Sequence, residues 1–241
     1  MSAVFFHRDI MFELIKNGTR VYTSDNIKVC TDPVILAHFA DPRKNDRIID
    51  IGCGCGIIGL TLRDIGFSGE ITALDIDKEA CMLTERGSSE LSLPFNVICG
   101  DVRTFVPAKA YDIAVCNPPY FNSGIQGQGY RGGSRHDDTL SLSELFSAAR
   151  LIVKDGGRLV ICIKPDRMAE AICLMKDNGF ETKRMRFCRY DHSKKPWLVL
   201  LESRLHGGVG LTVENDFIAY GPDGIPTEEY KSICFAGMKN G

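Results

Sequence analysis

The chain lacks a long apolar run, a basic leader and an excess of positive charge. No stretch of its 241 residues approaches the ~20 apolar residues that span a bilayer. Residues 1–9 show no basic segment followed by an apolar core, so no secretion signal is expected and the cytoplasm is the expected location. A formal net charge of −2 excludes a broadly basic nucleic-acid binder, and any polyanion contact must be local. Among ten cysteines, Cys53 and Cys55 are the only close pair, with neither CxxC spacing nor a second pair or histidine cluster. That pattern predicts no metal site. Cys99, Cys116, Cys162, Cys173 and Cys188 lie on apolar segments and read as reduced core thiols. No internal repeat or coiled coil is visible. What is present, 44% hydrophobic and 25% charged residues, describes a soluble globular chain with room for one principal α/β domain.

Strand and helix patterns alternate. Residues 11–14 and 20–30 read as a small β element with a hairpin turn at Ser24, Asp25 and Asn26. Asp32 then reads as the N-cap of a helix with Pro33 in its first position. His38 on that helix is isolated from other ligands and reads as packed or solvated. Apolar strands over 47–51, 70–74, 95–99 and 111–116 are separated by helices at 57–65 and 78–87, the second capped by Asp77. Ser141 and Glu144 form a capping box at the head of an amphipathic helix that ends near 153. Asp155-Gly156-Gly157 then turns the chain into a fifth strand over 158–163. Pro165 and Asp166 open another helix, which stops at Asn178 and Gly179. The last two strands fall at 184–190 and 197–201, and the tail holds one strand-like run, a Gly221-Pro222-Asp223-Gly224 turn and a short helix from about Thr227. This order predicts an α/β fold with a Rossmann-like, doubly wound, mostly parallel seven-stranded sheet and a small N-terminal β-hairpin extension. Three segments follow: an extension over 1–41, a core over 42–205 and a tail over 206–241 packed on it.

Open α/β sheets bind ligands at the carboxyl ends of their strands, and four such ends here carry candidate chemistry. Gly54, Gly56 and Gly59 match GxGxxG, the spacing of a dinucleotide site. The parse Asp50-x-Gly52-x-Gly54-x-Gly56 fits better, because a carboxylate at the strand end repels a pyrophosphate and attracts an ammonium or sulfonium. Asp75 ends the second strand, where an acid accepts hydrogen bonds from ribose hydroxyls, and Ile76 is placed to pack on an adenine. Asp101 follows the third strand and is a candidate acceptor for the adenine amino group, with a local turn or cap as the competing role. At the fourth, Asn117-Pro118-Pro119-Tyr120 forms a stiff turn that aims two acceptors, the Asn117 carboxamide and the Pro118 carbonyl, at one point beside an aromatic face. Two acceptors and a stacking surface suit a planar amino group such as adenine N6, guanine N2 or a glutamine amide.

Two further segments carry positive charge. The Gly-rich stretch 121–138 holds Arg131, Arg135 and His136 and reads as a loop that closes over substrate phosphates. The segment 183–195 carries Arg184, Arg186, Arg189, Lys194 and Lys195 with Phe187 and Tyr190 interleaved and Trp197 just beyond, a pattern that suits either a phosphate backbone or a solvated strand face.

With these motifs in place the chain resembles the class I methyltransferases that modify exocyclic amino groups. The N-terminal hairpin before Thr31 and Asp32, the Arg135-His136 pair, Pro165-Asp166-Arg167 and the C-terminal Gly-Pro-Asp-Gly turn extend the likeness to the bacterial tRNA1(Val) adenine-37 N6-methyltransferase family, over nearly the whole chain. The resemblance implies S-adenosylmethionine as cofactor, held by Thr31, Asp32, Asp50, Gly52, Gly54, Gly56, Asp75, Ile76, Asp101, Val102 and Asn117. It implies Asn117, Pro118, Pro119 and Tyr120 as catalytic residues, a tRNA partner, no metal and a monomer or weak homodimer. The alternatives are a release-factor glutamine N5-methyltransferase, for whose helical domain the chain has no room, an rRNA or DNA amino-methyltransferase, a catalytically silent RNA-binding module and a nicotinamide oxidoreductase.

Overall fold

The computed structural model describes residues 11–118 and 140–234. The chain opens with a hairpin, β1 (Met11–Leu14) and β2 (Arg20–Thr23), and a helix, α1 (Thr31–Ala40). Then come β3 (Arg47–Ile51), α2 (Ile57–Asp64), β4 (Glu70–Asp75), α3 (Lys78–Ser89), β5 (Asn96–Cys99) and β6 (Tyr111–Cys116). Beyond them lie α4 (Leu142–Ile152), β7 (Val153–Ile163), α5 (Met168–Asp177), β8 (Phe180–Arg189) and β9 (Leu198–Leu205). The end of the chain adds β10 (Thr212–Val213), β11 (Phe217–Ile218) and α6 (Glu228–Cys234).

Nine strands form one sheet in the order β5-β4-β3-β6-β7-β9-β8-β10, with β11 also on β8. Every pair is parallel except those of β9, which runs antiparallel to both β7 and β8. The expected seven strands are therefore present, and two strands of two residues each extend the β8 edge. Central strands read as unbroken apolar runs because both faces are covered: Ile113, Ala114 and Val115 of β6 are fully buried, as are Leu198 to Leu201 of β9. Successive residues feed opposite layers. Ile48, Ile113 and Val160 pack under α1 and α2, whereas Ile49, Ala114 and Leu159 pack under α4. The order of strands reverses between β3 and β6, the kind of switch point at whose carboxyl edge open α/β sheets bind ligands.

Local expectations differ from the structure at several places, and the expected turn Asp155-Gly156-Gly157 lies inside β7. The hairpin pairs Met11 with Thr23, and residues 27–30 are not its second arm. Ser24 Oγ accepts from the amides of Asn26 and Ile27 at 3.3 and 3.2 Å, and this turn redirects the chain into α1. Helix α1 begins one residue before Asp32, with Cys30 at the N-cap, because the buried Asp32 carboxylate accepts from the Trp197 indole at 3.0 Å instead of capping. Cys99 and Cys173 are exposed rather than core residues, and all ten cysteines are free thiols. The Ser141–Glu144 capping box and the Asp77 cap form as expected.

A buried carboxylate holds the C-terminus of α1 to the sheet. Glu202 on β9 accepts from Arg158 at 3.1 Å and from Arg184 at 2.7 Å. The same guanidiniums donate to the last carbonyls of α1 and its cap, Arg158 to Ala40 at 2.9 Å and Asp41 at 3.2 Å, and Arg184 to Phe39 at 3.4 Å. Glu202→Ala removes the shared anion from a buried site, and urea unfolding should show a loss of about 3 kcal/mol. An unchanged midpoint would show that the carbonyls, with Asp46 for Arg158 and Glu214 for Arg184, satisfy both arginines.

Candidate active site

Backbone hydrogen bonds weld the turns at the carboxyl edge to one another. Gly52 N–H donates to Leu74 C=O at 2.8 Å, and Gly100 N–H to Asp75 C=O at 2.8 Å. The Asp75 carboxylate accepts from Gly54 N–H at 2.8 Å and from Asp77 N–H at 2.9 Å. Each of its oxygens retains a lone pair, so the side chain can organise the turn and still receive a ligand hydroxyl. Gly52 and Gly54 have φ of +71° and +56°, and a Cβ at either would stand in open space. Gly56 differs: a Cβ there would lie 2.7 Å from the Thr84 side chain, so this glycine serves close packing between α2 and α3. Gly59 is likewise pressed on the Phe95 ring, at 3.0 Å from its virtual Cβ, which explains the literal GxGxxG match without a dinucleotide.

Asp50 is fully buried beneath this turn, and neither carboxylate oxygen has a hydrogen-bond partner. Burial, and then the charge of Asp75, push its pKa up to about 8. Burial also raises the Asp75 carboxyl, against the opposing pull of the Asp77 and Gly54 amides. Two carboxyls whose ionisation is penalised, under glycines that open on empty space, suit a cationic ligand. That is what the ammonium and sulfonium of S-adenosylmethionine would bring. Asp50 exposes no atom to solvent beneath the glycine turn.

Asn117 leaves β6 at the neighbouring strand end. The pairing of Cys116 with Ile161 sets Asn117 opposite Cys162 on β7, whose thiol donates to Asn117 Oδ1 at 2.9 Å. This bond orients the carboxamide. Pro118 beside it is buried. Sequence reasoning missed the role of Cys162, since no local signal says which strand lies next to β6. It also missed Arg103, which grips both oxygens of Asp101 at 2.7 to 3.0 Å and holds that carboxyl below its usual range.

The other expected residues divide. Ile76 is 56% exposed at the end of β4, and Val102 is buried under the sheet edge. Thr31 is exposed at the head of α1, and Asp32 is engaged by Trp197. Arg184 is bound to Glu202 and Glu214, Arg186 to Glu229, and Arg189 to Asp216. Lys194 and Lys195 are exposed and make no ion pair among the described residues. Pro119, Tyr120, Arg131, Arg135 and His136 lie outside the described residues.

Comparison with known proteins agrees with this geometry. A predicted O-methyltransferase from Agrobacterium tumefaciens has the same fold, with a TM-score of 0.67 at 20% identity over 87% of this chain and 100% of its own. The fold is therefore that of a methyltransferase. A family model described as methyltransferase small domain matches residues 14–184. The tRNA1(Val) (adenine(37)-N6)-methyltransferase of Vibrio campbellii is 32% identical over 69% of this chain and 70% of its own. Its counterpart in Dyadobacter fermentans is 28% identical over 83% of this chain and 85% of its own. The chain belongs to the methyltransferase small domain family and, within it, to the tRNA1(Val) (adenine(37)-N6)-methyltransferases. No helix among the described residues is long and apolar enough to cross a membrane.

Two outcomes test the site. The folded chain holds the Asp50 proton up to about pH 8, while the unfolded chain loses it near 3.8, so stability falls as pH rises between these values. Asp50→Asn should therefore gain stability over wild type across that window, reaching on the order of 5 kcal/mol in urea unfolding at pH 8. A gain independent of pH would refute the buried proton. Cys162→Val should lower kcat roughly tenfold at unchanged KM, and Cys162→Ser, which keeps a donor, should recover most of it. Equal losses in both variants would make Cys162 a packing residue only.

Proposed function

We propose that the chain transfers a methyl group to N6 of adenine 37 in a valine tRNA, in the cytoplasm, acting as a monomer or weak homodimer. The carrying observation is Asn117, bonded by Cys162, at the end of β6 beside the strand β3 that leads into the turn Asp75 organises. Bound S-adenosylmethionine supplies a methyl group activated on a sulfonium. Gly52 and Gly54 admit it closely, Asp75 receives its ribose hydroxyls, Ile76 and Val102 flank its adenine, and Asp101, steadied by Arg103, faces the adenine amino group. Thr31 and Asp32 border the same edge, and Asp50 balances the ligand's positive charge through the turn.

Adenine N6 is a poor nucleophile because its lone pair is delocalised into the ring. Asn117 Oδ1 and the Pro118 carbonyl accept its two N–H bonds and draw the lone pair back onto nitrogen. Tyr120 stacks on the base, which has turned out of the anticodon loop, and Pro119 stiffens the turn between them. Fixed orientation then supplies much of the rate. The alkylated nitrogen is cationic and acidic, so it gives its proton to water without a strong base. Arg131, Arg135 and His136 hold backbone phosphates near the flipped nucleotide.

The direct test is methyl transfer from labelled S-adenosylmethionine into total tRNA from a strain lacking the gene, followed by mass spectrometry of nucleosides. N6-methyladenosine confined to a valine tRNA supports the reading, and label in rRNA, DNA or a release factor instead would move the substrate. Asn117→Ala should reduce kcat on the order of 100-fold with little change in cofactor affinity. Asp75→Ala should instead raise the cofactor Kd by roughly 10- to 100-fold. Equal effects of the two changes on both constants would dissolve the division of roles.

A further inference from the structure

The basic segment that runs from the second half of β8 through the turn to β9 is built in two parts with different fates. Its arginines are consumed within the chain: Arg184 by Glu202 and Glu214, Arg186 by Glu229 at 2.8 Å, Arg189 by Asp216 and by the Lys194 carbonyl at 2.7 Å. These bonds brace the turn that follows. Asp191 accepts from the Ser193 amide at 2.7 Å, and the Lys194 amide donates to the Asp191 carbonyl at 3.2 Å. On this braced turn Lys194 and Lys195 stand exposed, against Asp191 as the carboxylate of the turn itself.

An aromatic pair lies beside the lysines. Tyr190 is 55% exposed and stacks on Trp197, with ring centroids 4.6 Å apart and planes inclined by 34°. Trp197 is anchored from below: its indole N–H donates to the buried Asp32 at 3.0 Å, and the Phe217 edge meets its ring at 6.3 Å. The Tyr190 carbonyl accepts from the Tyr220 amide at 2.7 Å, which fixes the backbone under the exposed ring. A rigid exposed ring next to unpaired cations matches the chemistry of a single nucleic-acid strand, which offers a π-face and a phosphate at every residue.

Topology places this patch on the edge that carries Asn117. Cys188 at the end of β8 pairs with Leu198 at the start of β9, Val199 pairs with Ile163 of β7, and the residue before Ile163 bonds Asn117. Register sets Arg186 level with Asn117, so three inter-strand steps of ~4.8 Å and four residues of ~3.3 Å along β8 put Tyr190 about 20 Å from Asn117. That is roughly six stacked nucleotides at ~3.4 Å each.

We propose that Tyr190, backed by Trp197, is a stacking platform for an unpaired base of the RNA several nucleotides from the methylated one, with Lys194 and Lys195 on its phosphates. This rests on the RNA-methylating reading above and names a part of the surface that would hold the strand. Arg184, Arg186 and Arg189 are its scaffold and not its phosphate ligands.

Trp197 is the single tryptophan of the chain, so its fluorescence reports on this patch alone. An unmodified anticodon stem-loop of valine tRNA should quench it, and inorganic polyphosphate at equal charge should not. Tyr190→Ala should raise the RNA Kd and KM roughly 5- to 150-fold with the cofactor Kd unchanged, and Tyr190→Phe should restore wild-type values. The double change Lys194→Ala, Lys195→Ala should weaken binding and lower the slope of log K against log salt by about two. If wild type methylates tRNA while Tyr190→Ala matches it in Kd and KM, the platform is refuted and the function stands. Equal quenching by polyphosphate would also refute stacking. A wild-type chain that neither binds nor methylates tRNA would overturn both.

Discussion

The carboxylate of Asp75 is the tie on which the carboxyl edge depends. Its oxygens receive the Gly54 and Asp77 amides while its backbone carbonyl receives that of Gly100, so one residue joins the turns after β3, β4 and β5. Those turns come from separate strands and would otherwise be set only by sheet register. A carboxylate that bonds backbone amides also stays available at its second lone pairs, which lets a single side chain shape the crevice and contact what enters it.

Asp50 gives the crevice its electrical character. It is the buried acid of β3, set between Ile49 and Ile51 beneath the glycine turn, and it keeps its proton in the absence of a cation. A positively charged ligand reverses that balance. The site thus selects for charge from below as well as for shape from above, and a pyrophosphate would meet repulsion once Asp50 and Asp75 ionise. Close packing of Gly56 on Thr84 and of Gly59 on Phe95 accounts for the remaining glycines through helix placement.

The far side of the edge shows how charge that looks available in a list of residues is spent in a fold. Arg158 and Arg184 close on Glu202 and cap α1, and Arg186 and Arg189 hold the tail through Glu229 and Asp216. The tail is thereby part of the sheet, with β10 and β11 running along β8, and it supplies Phe217 beneath the aromatic pair. Structural use of the arginines and outward presentation of the lysines follow from reach. A guanidinium on a strand finds carboxylates on adjoining strands, whereas a lysine on a turn projects into solvent.

Much of this protein is decided by short-range sequence. The glycine turn, the Asp77 cap, the Ser141–Glu144 box and the strand Tyr111–Cys116 need only neighbours within a few residues, and each stands where its pattern put it. The alternation of strands and helices likewise limits the fold to a doubly wound sheet, and the acids at its strand ends fall on one edge as a consequence. Tertiary structure alone decided the rest. Asp32 has a capping residue's chemistry and α1 a helix's start, yet a tryptophan 165 positions away takes its carboxylate. Cys162 reads as one more core thiol until register brings it to Asn117. The arm that pairs with β2 is Met11–Leu14 because the Ser24 hydroxyl bends the chain the other way. Partners distant in sequence are set by strand order and register, and no local pattern of residues encodes those.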